Sequence, residues 1–556
     1  MRAVEAVASE IARQGVREVF TYMSRDIIKL LADIEANGVT VYQTHHEHAA
    51  VGMADGYSRT SGRTGVALVG AGVGLTNCLN ALVTATKAHS RVIVFVGEVP
   101  GAAQRAASVR NVSKYVDHRG LLEALSVRHI IAQSPADIRA CFELVERSGE
   151  ALVVSLPTEL LEAKSAEGLV PLHLDIPAPA TGLTTTDRQT IVELLQDNAI
   201  ASRTVILGGR GAVNANAGAE LMRLAEATGA LLATSAMARG LFAGSPYSLG
   251  IVGTFSTPIA SELLASSTLV LAFGASLNYF TTYNGAVFGK ARFIHIDDKP
   301  AALGRYQPVD LSCAADARLA AAELADELDK RQHRATGYRT RETAERIAGF
   351  RIEETFTDKS SESGMDPRTL MTALDGFLPS DRIVAVDAGH FMDFPIAHVA
   401  VAGPRQFVWP IEYTAVGSSL GPALGAAVAN PDRLTVLFIG DGGAVMSLAD
   451  LHTAVRYRLK LLVVVCNDSA LSGELHYLRE NGYPDQIARS DNPSFETVAR
   501  GLGFEAATIS TVADLIPLGE RLHCLEKPML LDCRVTPEVV SNSRDLLAAL
   551  IRRGAA

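Results

Sequence analysis

Hydrophobic positions in this chain form short unbroken runs that end in glycine, separated by longer stretches whose apolar residues recur at helical spacing. The run Leu434–Ile439 ends in Gly440-Asp441-Gly442-Gly443, and a second run, Leu461–Cys466, ends in Asn467-Asp468. Such runs are strands buried on both faces, as in parallel sheets. The helix-length connection between them predicts a right-handed crossover, so both strand ends leave the sheet at one edge. Asp441 and Asp468 then meet beside glycines that expose backbone N–H groups. That arrangement suits a hard divalent cation and the diphosphate it neutralises. Far upstream, Val39–Thr44 alternates like a strand and His45–Arg59 carries small and apolar residues at helical spacing. Glu47 stands at that junction, where burial in an apolar first turn favours the protonated carboxyl.

The same alternation of strand and helix runs through three stretches of the chain. Residues 1–165 close with the strand Ala151–Pro157, and the Pro/Ala/Thr-rich stretch Pro171–Thr186 reads as a linker. Residues 185–335 open with Thr204–Gly211 and continue through Thr268–Gly274 and Phe293–Asp297. The charged helical segment Ala314–Arg351 follows. A polar run, Thr357–Gly364, precedes residues 365–556, which hold the paired aspartates. Three doubly wound α/β domains are the economical expectation.

Composition narrows the function. The 556 residues are 48% hydrophobic and 20% charged, with a net charge of −10, which argues for well-filled cores and against nucleic acid as a partner. The six cysteines include no Cys-x-x-Cys pair, as expected in a reducing cytoplasm. The first ten residues carry acids through their apolar positions and do not read as a signal peptide. The uncharged stretch Val66–Thr86 is broken by glycine, asparagine and threonine, so a membrane span is not expected. Its turn Gly70-Ala71-Gly72-Val73-Gly74 suggests a dinucleotide loop, but Asn77 replaces the final glycine and the strand Val92–Gly97 leads to Glu98 later than that fingerprint asks. His45, His46 and His48 diverge on a helix and are not expected to bind zinc.

The pair Gly440-Asp441-Gly442 and Asn467-Asp468, with 24 residues from Gly443 to Cys466 between them, resembles the signature of thiamine diphosphate-dependent enzymes. The stretch from His46 to Arg59 resembles the corresponding segment of the acetohydroxyacid synthase, 2-oxo-acid decarboxylase and benzaldehyde lyase group. The resemblance covers nearly the whole chain and implies pyrimidine-binding, central and diphosphate-binding domains in that order. It implies Mg2+ held by Asp441, Asp468 and the Ala470 carbonyl. Gly389, His390, Gly440, Gly442, Gly443, Asn467, Leu471 and Ser472 would lie along the cofactor, with Gly72 in the turn beside it. The backbone of Thr414 and Val416 would bond the aminopyrimidine, the Val416 side chain would bend the cofactor, and Glu47 would bond the ring nitrogen N1' and promote loss of the thiazolium C2 proton. Relatives have a larger residue at Val416 and commonly glycine at Ser472. A homodimer, or a dimer of dimers, is also implied, with the first domain of one subunit facing the third domain of another.

The expected activity is a lyase or carboligase acting on a 2-oxo acid or related acyl donor through an enamine, which either a proton or an acceptor carbonyl captures. The motifs do not separate those outcomes. Arg25, in the loop that the resemblance places over the reactive carbon, is a candidate grip for an anionic substrate, with a solvated or interdomain arginine as the alternative. His118 is either a proton relay or an ordinary surface histidine. Glu474 and His476 follow the aspartate pair on a helix toward the same cavity. Gly208-Gly209-Arg210-Gly211 is compatible with FAD or ADP in the central domain and equally with an empty one. A dinucleotide-dependent oxidoreductase is the rival enzyme class; intact Glu47, Asp441 and Asp468 argue against a catalytically silent subunit.

Overall fold

A computed structural model describes residues 1–98, 113–335 and 337–541, so residues 542–556 of the expected third domain lie outside the described residues. Three six-stranded parallel sheets flanked by helices carry the fold. The first is built from β1 (Glu18–Thr21), β2 (Thr40–Gln43), β3 (Gly65–Val69), β4 (Val92–Glu98), β5 (Arg128–Ile131) and β6 (Leu152–Pro157), in the order β2-β1-β3-β4-β6-β5. The second comprises β7 (Thr204–Gly208), β8 (Leu231–Thr234), β9 (Ser248–Ile251), β10 (Leu269–Phe273), β11 (Arg292–Asp297) and β12 (Leu311–Ala314), ordered β12-β11-β10-β7-β8-β9. The third comprises β13 (Arg382–Val386), β14 (Phe407–Val408), β15 (Leu434–Gly440), β16 (Leu461–Asn467), β17 (Glu505–Ile509) and β18 (Met529–Arg534), ordered β14-β13-β15-β16-β18-β17.

The first and third sheets thus share one topology. In each, the chain reverses direction across the sheet between the first and third strands, and ligands of open α/β sheets bind outside that switch point. β3, β4, β13, β15 and β16 are almost wholly buried along their length, which explains their unbroken apolar runs.

Chain contacts divide the protein into two compact units. One contains Met1–Ala178, Lys359–Met392 and Val408–Val539, and therefore both the first and third sheets; the other is formed mainly by Pro179–Asp358 with Asp393–Phe407. Inside the first unit, the helix Glu47–Ser61 packs on the helix Leu420–Ala429, and a single apolar cluster joins the two sheets. Two glycines permit that approach: a Cβ at Gly56 would lie 1.9 Å from the Pro422 carbonyl oxygen, and one at Gly425 would lie 1.9 Å from that of Met53. No helix among the described residues is long and apolar enough to cross a membrane.

Candidate active site

Gly440 of β15 pairs with Cys466 of β16, so the residues that follow, Asp441 and Asn467-Asp468, emerge side by side. Asp441 is 2% exposed; its Oδ1 accepts the Gly442 N–H at 2.8 Å and its Oδ2 accepts from Asn492 Nδ2 at 2.7 Å. Asp468 Oδ1 accepts the Ala470 N–H at 3.2 Å, and Oδ2 accepts the Ser472 hydroxyl. All these donors are neutral, and neither carboxylate forms an ion pair among the described residues. Burial pushes Asp441 above the usual carboxylate range; burial and then the charge of Asp441 push Asp468 up to about 7. Bonds from Leu471 N–H to Ala488 and from Ser490 N–H to Ser469 fix the backbone on either side of Ala470. Asn467 turns its Nδ2 back to Asp532 Oδ1 at 2.8 Å, so its amide braces the strand end. Leu471 is 48% exposed and Glu474 is also exposed.

Asp387, directly after β13, organises the neighbouring loop and was missed by the sequence reasoning. Fully buried, it accepts the N–H groups of Gly417 at 2.7 Å and Ser419 at 3.1 Å, and burial pushes it up to about 6. Ser447 donates to the carbonyls of Gly417 and Gly443 at 2.9 Å, tying that loop to the helix that begins at Asp441. Thr414 is held at φ +53°, and Val416 is left 39% exposed. On the other side, the ring of Phe391 packs beneath both Gly389 and Gly440, and the rings of His390 and His476 lie 4.8 Å apart. The only signal for Asp387 is an aspartate ending an apolar strand, Val384-Ala385-Val386-Asp387.

A second cluster forms at the switch point of the first sheet. Glu47 opens its helix after the N-cap His46, is 6% exposed, and its Oε2 accepts from Asn77 Nδ2 at 3.0 Å. The turn that leads to Asn77 presents its amides to side chains: Ala71 N–H donates to Asp26 Oδ2 at 2.6 Å and Gly72 N–H to His118 Nε2 at 3.3 Å. A pyrophosphate would find both amides occupied, which removes the dinucleotide-loop reading. His118 is no surface histidine, being 3% exposed, with Nδ1 2.8 Å from Glu98 Oε2 and 3.2 Å from Ser155 Oγ. Both ring nitrogens are therefore committed inside the protein. Arg25 is exposed and its side chain makes no hydrogen bond among the described residues, whereas Lys114 binds Ser24 Oγ and Asp26 Oδ1 at 3.0 and 3.1 Å. His45 faces His452 at 3.0 Å while His46 caps the His48 N–H, so the three histidines do not converge.

Comparison with protein families matches residues 1–121 to the thiamine pyrophosphate enzyme N-terminal TPP binding domain, 189–324 to its central domain, and 387–533 to its C-terminal TPP binding domain. The chain belongs to the thiamine pyrophosphate enzymes. Among curated relatives of this family member, a probable acetolactate synthase large subunit from Methanococcus aeolicus is 25% identical, with 97% of this chain and 92% of that protein covered. A sulfoacetaldehyde acetyltransferase from Castellaniella defragrans is 26% identical, covering 93% and 90%. In fold, the chain is similar to a thiamine diphosphate-dependent 4-hydroxybenzoylformate decarboxylase from Rhodococcus jostii RHA1, with a TM-score of 0.78 at 20% identity, covering 96% and 99%.

The C-terminal TPP-binding match spans the residues from Asp387 to Cys533, hence both aspartates, and the N-terminal match contains Glu47, Gly72 and His118. The site of this thiamine pyrophosphate enzyme fits a hard cation: two buried carboxylates that form no ion pair among the described residues and take their hydrogen bonds from the neutral Gly442, Ala470, Ser472 and Asn492. Among the described residues no three His, Cys, Asp or Glu side chains converge, so a cation here would need its remaining ligands from backbone, water or phosphate oxygens. In the central sheet, the amides of Gly209 and Gly211 donate to the carbonyls of Phe273 and Gly274 at 2.9 Å, so that glycine turn is closed on its neighbour rather than open to a phosphate.

Proposed function

We propose that the protein is a thiamine diphosphate- and Mg2+-dependent lyase or carboligase acting on a 2-oxo acid or related acyl donor. The observation that carries this reading is the pair Asp441 and Asp468, raised together on adjacent strand ends within a TPP-binding domain. When bound, the cofactor supplies a nucleophilic carbon and an electron sink for breaking or making a bond beside a carbonyl. The chain supplies the rest. Asp441, Asp468 and the Ala470 carbonyl hold the metal. Gly389, His390, Gly440, Gly442, Gly443, Leu471 and Ser472 line the diphosphate, and Thr414 and Val416 support the aminopyrimidine from a loop braced by Asp387. Glu47, kept from water and bonded by Asn77, would face the ring nitrogen as its hydrogen-bond partner. Arg25, an uncommitted exposed cation, grips the carboxylate or a second anionic group of the donor.

The two halves of the site come from two protomers of a cytoplasmic homodimer or dimer of dimers. Among the described residues no hydrogen bond joins the Glu47 cluster to the aspartate pair of its own chain. Apolar side chains stand exposed around both: Tyr22, Met23 and Val73 near the first, Val416, Met446 and Leu471 near the second.

The relatives' names favour carbon–carbon or acyl transfer onto an acceptor, and decarboxylation without an acceptor is the alternative. Mass-spectrometric product analysis with a panel of 2-oxo acids and aldehydes, with and without thiamine diphosphate and Mg2+, tests the reading. Cofactor-dependent 2-hydroxyketones support a carboligase and aldehydes a decarboxylase. Absence of any cofactor-dependent product across the panel contradicts the proposed donor class.

A further inference from the structure

We infer that Glu98 is a positioning residue for Glu47, acting through His118 and the turn Gly70–Gly74. The inference rests on the role proposed above for Glu47, but its structural links stand on their own. Glu98 ends β4 at the sheet edge, 6% exposed, with Oε2 2.8 Å from His118 Nδ1. A carboxylate there fixes the imidazole proton on Nδ1. Nε2 then carries a lone pair, and it is the atom that takes the Gly72 N–H. With the proton on Nε2, two donors would face each other and that bond would be lost.

The turn has little other freedom. Gly72 adopts φ +62°, and a Cβ on it would lie 1.9 Å from the Lys114 carbonyl oxygen, so the backbone four residues before His118 is pressed against it. Asp26 holds the adjoining Ala71 N–H from the opposite side. Downstream, the same turn opens the helix Val73–Lys87, where Gly74 lies against Glu47 Oε1 and Asn77 donates to Oε2. The order of support is therefore Glu98, His118, Gly72, Asn77, Glu47. Ser155 approaches Nδ1 at the longer distance of 3.2 Å and itself bonds His129 Nε2 at 2.9 Å, so it is the weaker constraint on the ring.

Hydrogen–deuterium exchange on the full chain without cofactor tests this directly, comparing the parent with Glu98→Gln, Glu98→Asp and His118→Gln. Exchange across residues 70–77 rises about tenfold in Glu98→Gln and in His118→Gln, while β13, β15 and β16 keep the parent rate. Glu98→Asp retains the charge but draws it back from Nδ1 and shows the same local rise, so it carries the test should Glu98→Gln prove poorly folded. Turnover supplies a second readout: kcat falls about tenfold in each single variant, and the Glu98→Gln/His118→Gln double variant is no worse than either alone. Unchanged exchange at 70–77 in the folded Glu98 variants, or additive losses in kcat, overturns the inference. Failure of the parent to bind thiamine diphosphate would instead overturn the proposed function and leave the exchange result standing.

Discussion

Asp468 holds its proton up to about 7, first because it is buried and then because Asp441 shares its pocket across two adjacent strand ends, and neither carboxylate forms an ion pair among the described residues. An uncompensated buried carboxylate pair is costly unless something neutralises it. Asp441→Asn removes half of that charge. The variant is expected to melt at or above the parent temperature without ligands, and to lose the rise in melting temperature that Mg2+ with thiamine diphosphate gives the parent. Thermal denaturation with and without the two ligands checks both outcomes.

Asp387 gives the fold a pH dependence of defined sign. Its folded carboxyl holds a proton to about 6 against an ordinary value of 3.8, so its contribution is present below pH 4 and is lost as the pH rises toward 6. A shift of roughly two units corresponds to about 3 kcal/mol. The melting temperature of the parent relative to Asp387→Asn is therefore expected to fall between pH 4 and pH 6 and to level off above. A constant difference across that range would remove Asp387 as the origin.

The contact between the first and third sheets depends on bare backbone. Gly56→Ala places a methyl group on the Pro422 carbonyl, whereas the helical Gly376 has nothing within 4 Å of its Cβ position. Gly56→Ala is expected to destabilise the unit by about 1–3 kcal/mol and Gly376→Ala to be neutral or mildly stabilising. Chemical denaturation of the two variants beside the parent makes the comparison.

Arg25 faces solvent without a hydrogen bond among the described residues, so its removal leaves no orphaned partner. Arg25→Ala is expected to raise KM for an anionic donor about tenfold or more with little change in melting temperature, and Arg25→Lys to recover part of the loss. Steady-state kinetics that show KM unmoved would release Arg25 from substrate binding.

What the sequence made legible was local or periodic. Apolar runs ending at Gly440 and Asn467 announced parallel strands, and the register of β15 against β16 then brings Asp441 and Asp468 together without help from distant residues. Glu47 was legible because a strand, a junction and a helix lie next to one another in the chain. Asp387 and Glu98 were not, because each acquires its role from a partner that pattern cannot supply: the Gly417 and Ser419 amides in one case and the His118 ring in the other. His118 read as a surface histidine or a relay because only the fold shows both of its nitrogens occupied. The union of the first and third sheets in one compact unit rests on Gly56 meeting Pro422 and Met53 meeting Gly425, contacts between residues hundreds of positions apart.

Titration calorimetry of thiamine diphosphate into the full chain, with Mg2+ and then with the metal chelated, tests the central claim most directly. Saturable binding that requires Mg2+ and is lost in Asp441→Asn is the predicted result. Absence of binding to the parent, or binding indifferent to both the metal and Asp441, would contradict it.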